Sequence, residues 1–299
     1  MTSSHIQNFL QKSWPQRVDT MQFYVRQCLA KVPYIPVPVR LRVSPSQEIE
    51  FWWSQIVPYF DSKRGFFDYW GDDIGDLRFL WKVLQPGMVF MDIGAYQGIY
   101  SVVAGKKLNS AGRVFAFEPS PREFRRLRMH LRWNRMSTAR SEMLALGSAT
   151  SEATFFQVRS GDTTRNGLRP PDSRETLVEI PVNVTSLDEY VRGQNIERID
   201  IIKLDVEGGE IEVIRGAKKV FGEFRPMLIC EVLDETTHAW GYEAREIIQA
   251  LRDYNYDWFD FNFNGSIEGH GEQQTYPRVK NYLAIPRERR EEVMRWSAE

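Results

Sequence analysis

Cysteine is nearly absent. The 299 residues hold two, Cys28 and Cys230, far apart in sequence, which excludes a disulfide framework, a thiolate zinc site and a three-cysteine iron–sulfur cluster. Net charge is absent too: 39 Lys+Arg against 40 Asp+Glu give a formal charge of -1, so no global basic field recruits nucleic acid or anionic lipid. No apolar run approaches the ~18 residues of a membrane span. The start, MTSSHIQNFLQKSWPQ, lacks the basic segment and apolar core of a secretion signal, so a cytoplasmic protein without a membrane span is expected. There is no internal repeat. Two motifs are missing as well. Without G-x-G-x-x-G, a nicotinamide-dependent oxidoreductase is disfavoured; without an Asn/Asp-Pro-Pro-aromatic segment, methylation of a flipped DNA base is disfavoured. What is present, 42% hydrophobic and 26% charged residues, suits one sizeable α/β domain with an appended layer.

Composition divides the chain in two. Residues 1–83 read as an N-terminal helical arm followed by an aromatic-rich layer. Phe9, Leu10, Val18, Met21, Val25, Cys28 and Leu29 lie near helical spacing, VPYIPVPV ends the helix, and residues 51–81 crowd eleven Phe, Trp and Tyr together. Most of these aromatics are read as packing, with Tyr69 or Trp70 reaching a pocket. The arm and its Pro-rich connector also suit a homodimer formed by arm exchange. Residues 84–299 form the second part, a doubly wound α/β sheet. Four short, uniformly apolar runs, MVFMD, RVFAFE, IDIIKLD and MLICE, read as parallel strands covered on both faces, with helical segments between them. All four end in a carboxylate: Asp92, Glu118, Asp205 and Glu231. Ligands of such sheets bind beyond the carboxyl ends of the strands, so the four acids should line one crevice.

The stretch VFMDIGAYQGIYS places Asp92 immediately before a glycine-spaced turn, Gly94-Ala95-Tyr96-Gln97-Gly98. A turn that receives pyrophosphate would not carry that negative charge. S-Adenosyl-L-methionine fits it better, since its sulfonium and ammonium are positive and it has no phosphate. Glu118, followed by Pro119, then suits the ribose hydroxyls. The bland alternatives are a capped strand-to-helix turn at Asp92 and a helix start at Pro119–Pro121. Glu210 and Glu212 are read as acids complementing a helix N-terminus.

VFMDIGAYQGIYS, RVFAFEPSP, VTSLDEY and IIKLDVEGGEIEVIRGA, in that order, resemble the FkbM family of S-adenosylmethionine-dependent methyltransferases. The resemblance covers about residues 84–286; Gly209 stands where the family would have alanine. It implies a seven-stranded Rossmann-like methyltransferase sheet with one late antiparallel strand. It also implies a cofactor held at Asp92, Gly94, Ala95, Tyr96, Gly98, Glu118, Pro119 and Asp205, and methyl transfer to a hydroxyl of a sugar, glycolipid, polyketide or other small natural product. Such a transfer needs alignment of the acceptor and one base for its proton. Asp205, Glu207, Glu231 and His238 are the candidates. A divalent metal held by Asp205, Glu207 and Glu231 is an alternative that is not favoured. A non-catalytic relative that keeps the fold as a binding partner is a further alternative. Of two other stretches, the arginines of PREFRRLRMHLRWNR are read as a solvated helix face, and the polar loop 157–175 as a lid over the acceptor.

Overall fold

The computed structural model describes residues 13, 35–44, 46–54, 74–159, 164–171 and 175–298. The expected helix over 1–31, Tyr69 and Trp70 therefore lie outside the described residues. The chain divides into two compact units, Met1–Arg42 with Gln47–Tyr69, and Val43–Ser46 with Trp70–Glu299. In the first, strands β1 (Val37–Ser44) and β2 (Gln47–Trp53) pair as a two-stranded sheet. Alternation in β2 buries Ile49, Phe51 and Trp53 and exposes Trp52, the period-2 pattern of a half-buried strand.

The second unit begins with helix α1 (Gly75–Val83), which buries Leu77, Phe79, Leu80 and Val83 and sets Phe79 5.3 Å from Phe261. It continues as β3 (Val89–Ile93), α2 (Ile99–Leu108), β4 (Arg113–Phe117), α3 (Pro121–Trp133), β5 (Ala139–Glu142), β6 (Ala145–Gly147), β7 (Ser151–Val158) and β8 (Leu177–Ser186). There follow α4 (Leu187–Gly193), β9 (Ile201–Leu204), α5 (Glu210–Arg215), β10 (Met227–Glu231), α6 (Asp234–Thr237), α7 (Arg245–Ala250), β11 (Tyr256–Phe261), β12 (Ile267–Gly269), β13 (Asn281–Pro286) and α8 (Arg290–Ala298).

The main sheet has the order β12-β11-β13-β10-β9-β3-β4-β5. Strands β10, β9, β3, β4 and β5 run parallel, and β13 is antiparallel to both β10 and β11. The α/β sheet with its late antiparallel strand is as expected. Its strand number is not: among the described residues the sheet has eight strands rather than seven. The additional β12 is three residues long and pairs with β11 at the edge. Three residues with an Asn264–Gly265 turn before them carry too little apolar pattern to read as a strand from sequence. A separate three-stranded sheet, β6-β8-β7, holds the β7–β8 connection.

Every position of β3, β9 and β10 is buried, which explains their unbroken apolar sequences. Each large apolar side chain so buried contributes roughly 1.5–3 kcal/mol. Helix α3 starts where SPRE predicts a capping motif: Ser120 Oγ accepts from the Glu123 amide at 3.3 Å, and Pro121 occupies the first turn. Its stripe buries Leu127 and Leu131. The arginines read as a solvated face divide: Arg125, Arg128 and Arg132 are exposed, whereas Arg122 and Arg126 pair with the fully buried Glu123.

Candidate active site

Parallel pairing brings the four strand-end carboxylates to one edge. Glu118 follows β4, Asp92 is the penultimate residue of β3, Asp205 follows β9 and Glu231 ends β10; these strands are consecutive neighbours in the sheet.

The turn after β3 depends on two glycines, for reasons internal to the chain. Gly94 has φ +80°, and a Cβ there would lie 1.6 Å from the Asp205 carbonyl oxygen. Gly98 has φ +88°, and its Cβ would lie 2.4 Å from Leu127 Cδ1. The glycines thus let the turn approach the end of β9 and helix α3. Four of the turn's five amides bond within the chain. Those of Gly94 and Ala95 donate to the Phe117 carbonyl at 3.1 and 2.8 Å, that of Gly98 to the Ala95 carbonyl at 2.7 Å, and that of Tyr96 to Glu118 Oε2 at 2.8 Å. At the first turn of α2, Asp92 Oδ2 accepts from the Ser101 amide at 3.0 Å and from Ser101 Oγ at 2.5 Å. The place where a pyrophosphate would meet a helix N-terminus is therefore held by the chain's own carboxylate.

Both acids of this half are buried. Burial raises Asp92 to about 6, against the opposing Ser101 bonds and the Lys203 charge. Glu118 is raised by burial to about 8, although its Oε1 also accepts from the Ser120 amide at 2.8 Å. Pro119 stands half-buried between Glu118 and the Ser120 cap. Burial dominates both shifts over the opposing hydrogen bonds, and a ligand that brought hydroxyl donors or positive charge would lower them.

Asp205, Glu207 and Glu231 converge, with one carboxylate oxygen of each within 4.8 Å of the others. That spacing is small enough for one divalent ion, but the chain brings its own cation there. Lys203, on β9, is 1% exposed and donates to Asp205 Oδ2 at 3.0 Å. Glu207 lies in a left-handed conformation, φ +56°. Shielding from water, and then the Glu231, Asp205 and Glu210 charges, raise the Glu207 carboxyl well above the usual range, with Arg165 opposing. Burial and then the Asp205 and Glu210 charges raise Glu231 likewise. Glu210, read from sequence as an acid complementing the helix dipole, also accepts from the Val206 and Gly208 amides at 2.9 and 3.3 Å.

The described part of the 157–175 loop reaches this cluster. Gly167 bridges to Phe156 on β7, and a Cβ on it would stand 3.4 Å from Glu207 Cβ. Arg165 pairs with Glu235, and Arg169 lies 4.6 Å from the Trp240 ring centre. Trp240 Nε1 in turn donates to the Glu207 carbonyl at 3.2 Å. His238, by contrast, is exposed on the 3-10 turn His238–Trp240 and makes no bond to the three carboxylates. The turn proposed for a histidine delivers a tryptophan.

Sequence reasoning passed over four polar residues of the site: Asp76, Tyr100, Lys203 and Asn281. Tyr100 OH donates to Asp76 Oδ2 at 2.5 Å, and Asn281 Nδ2 donates to the same oxygen at 2.5 Å. Lys203 left a signal, a lysine inside the otherwise apolar IIKL. The other three come from α1, α2 and β13 and share no pattern along the chain.

Comparison with known proteins follows the same lines. "Methyltransferase 1" of Beauveria bassiana is 23% identical over 160 residues, covering 48% of this chain and 64% of its own length. "Hexuronic acid methyltransferase AglP" of Haloferax volcanii is 26% identical over 140 residues, covering 47% of this chain and 54% of that protein. "2-O-methyltransferase NoeI" of Sinorhizobium fredii is 25% identical, covering 56% and 72%. The crystal structure of the FkbM methyltransferase from Methylobacillus flagellatus superposes with a TM-score of 0.43 at 17% identity, over 68% of this chain and 45% of that one. The chain thus spans less than two thirds of the Beauveria and Haloferax proteins and under half of the Methylobacillus one. Residues 92–258 match the domain described as "Methyltransferase FkbM domain", more than half of the chain, and the protein belongs to the FkbM methyltransferase family.

Proposed function

We propose that the protein transfers a methyl group from S-adenosyl-L-methionine to a hydroxyl of a carbohydrate or related small natural product. The observation that carries the choice of cofactor is the occupied turn. The amides of Gly94, Ala95, Tyr96 and Gly98 bond to the chain and Asp92 accepts from the Ser101 amide at the start of α2, an arrangement that disfavours a pyrophosphate there. Buried Asp92 and Glu118 favour a ligand that brings donors and positive charge. Among relatives, the names of the Haloferax hexuronic acid methyltransferase and the Sinorhizobium 2-O-methyltransferase favour a sugar-type acceptor and oxygen as the methylated atom.

When bound, the cofactor supplies an activated methyl on a sulfonium, whose leaving sulfur keeps the electron pair of the broken bond. The chain's part is to hold the acceptor oxygen in line and to take its proton. Glu231 is assigned that proton, with Glu207 beside it. Burial and the neighbouring acids raise both carboxyls, so each carboxylate binds a proton more tightly than an ordinary glutamate does. Asp205, held by Lys203, faces the cofactor's methionine part.

The test is transfer of isotope-labelled methyl to a panel of glycosides that includes hexuronic acid glycosides, with calorimetric titration of S-adenosylmethionine and NADH alongside. Binding of the first and not the second, with label on an acceptor oxygen, is expected. In Glu231→Gln, turnover should fall about 10²–10⁴-fold while cofactor affinity is retained. Unchanged turnover would remove Glu231 from the role. Absence of cofactor binding would leave the fold serving as a binding partner.

A further inference from the structure

Two neighbouring residues of the site have a left-handed backbone. Glu207 has φ +56° and Gly208 φ +91°, and only the glycine escapes the steric cost that a Cβ brings to this region. A residue such as Glu207 keeps that conformation only where its surroundings hold it. Its carboxylate is one of the three that converge with Asp205 and Glu231, so the strained backbone sits at the carboxyl end of the sheet and not in a remote turn.

The surroundings hold this segment from two sides. Glu210 Oε1 takes the amides of Val206 and Gly208, at 2.9 and 3.3 Å. The segment Trp240-Gly241-Tyr242 takes the carbonyls: Trp240 Nε1 donates to that of Glu207 at 3.2 Å, and Tyr242 OH donates to that of Gly208. The indole lies against both glycines. A Cβ on Gly208 would stand 2.8 Å from Trp240 Cδ1, and one on Gly209 would stand 3.0 and 3.2 Å from Cζ2 and Cη2. Gly208 and Gly209 thus leave the room that the indole fills. Over the ring, 4.6 Å from its centre, lies the Arg169 guanidinium, so the face it covers is not open to stack on a sugar.

From this geometry we infer that Trp240 is a positioning residue for the acceptor: its indole N–H fixes the Glu207 carbonyl, and with it the left-handed conformation that directs the Glu207 carboxylate towards Asp205 and Glu231. The inference rests on the proposed acceptor site at Glu207 and Glu231 and adds to it a residue that acts through Glu207. Tryptophan suits the task because its ring is rigid, spans both glycines and carries a single donor on an otherwise apolar body.

The experiment has two arms, both built on Trp240→Phe, which keeps an aromatic ring and removes the N–H. In the first, NMR of the protein alone reads the backbone chemical shifts of Glu207; the parent should show the left-handed conformation and the variant should lose it. In the second, kcat/KM for the acceptor should fall about tenfold, as expected for the loss of one hydrogen bond and the geometry it holds, while calorimetric affinity for S-adenosylmethionine stays within about twofold. In a Glu207→Ala background, where no carboxylate is left to position, the same substitution should cost less than about twofold. Gly209→Ala crowds the indole without removing it and should act in the same direction in both arms, so it decides the matter if Trp240→Phe does not fold. Glu207 shifts that stay in place in the folded variants, or equal losses of kcat/KM with and without the Glu207 carboxylate, overturn the inference. A parent protein that binds no S-adenosylmethionine counts against the proposed function alone, since the first arm uses neither cofactor nor acceptor.

Discussion

Glu118→Gln should invert its effect on stability between acid and alkaline pH. The carboxyl has an ordinary value of 4.5 and stands at about 8 in the fold, with burial the main cause. Below pH 4.5 both folded and unfolded forms are protonated, and the shift contributes nothing. Between 4.5 and 8 the unfolded chain has released its proton and the folded chain has not, so stability falls as pH rises; above 8 the loss is complete. From pH 5 to pH 8 this single group removes on the order of 3 kcal/mol. Glutamine abolishes that slope. Its amide offers one oxygen where the carboxylate's two oxygens accept from the Tyr96 and Ser120 amides, both at 2.8 Å. Leaving one amide without a partner costs about 1–3 kcal/mol at every pH. Glu118→Gln should therefore be less stable than the parent at pH 5, more stable at pH 8.5, and equal to it in between. Urea denaturation across pH 5–9 reads this directly. A variant destabilised by the same amount at both ends would refute the buried, proton-retaining Glu118 described above.

Three further outcomes follow from particular contacts. Gly94→Ala drives a Cβ to 1.6 Å from the Asp205 carbonyl at φ +80°, so Tm should fall by at least about 5 °C, whereas Gly193→Ala, with nothing within 4 Å, should leave it unchanged; thermal unfolding of both decides it. Ser101→Ala removes the 2.5 Å hydroxyl bond that holds Asp92 down, so its pKa should rise above about 6. Cofactor affinity should then fall more at pH 6 than at pH 8, and equal losses by calorimetry at both would break the link. Lys203 already serves Asp205, so a chelator should leave methyl transfer unchanged; activity lost to chelator and restored by magnesium would reverse that assignment.

Much of the site was legible because it sits where the chain changes element. Asp92, Glu118, Asp205 and Glu231 each end an apolar run, and a run's last residue can be read without knowing its neighbours. The capping of α3 by Ser120 and the place of Glu210 at a helix start are equally local. His238 after the strand end is exposed, and which side chain of a short turn faces inward depends on the turn's pitch. Here that side chain is Trp240. The glycines were legible as a turn, but not what they face: a Cβ on each would meet another part of the chain, Asp205 and Leu127.

The sequence by itself determined the parallel α/β sheet, the carboxylates at its edge and the family, since these rest on periodicity and on residues close together along the chain. Tertiary structure alone decided the eighth strand, the convergence of Asp205, Glu207 and Glu231, and the network of Asp76, Tyr100, Lys203 and Asn281. Those four residues span more than 200 positions and come from two helices and two strands. Their pairing exists only after the sheet order is set, because each partner comes from a different element.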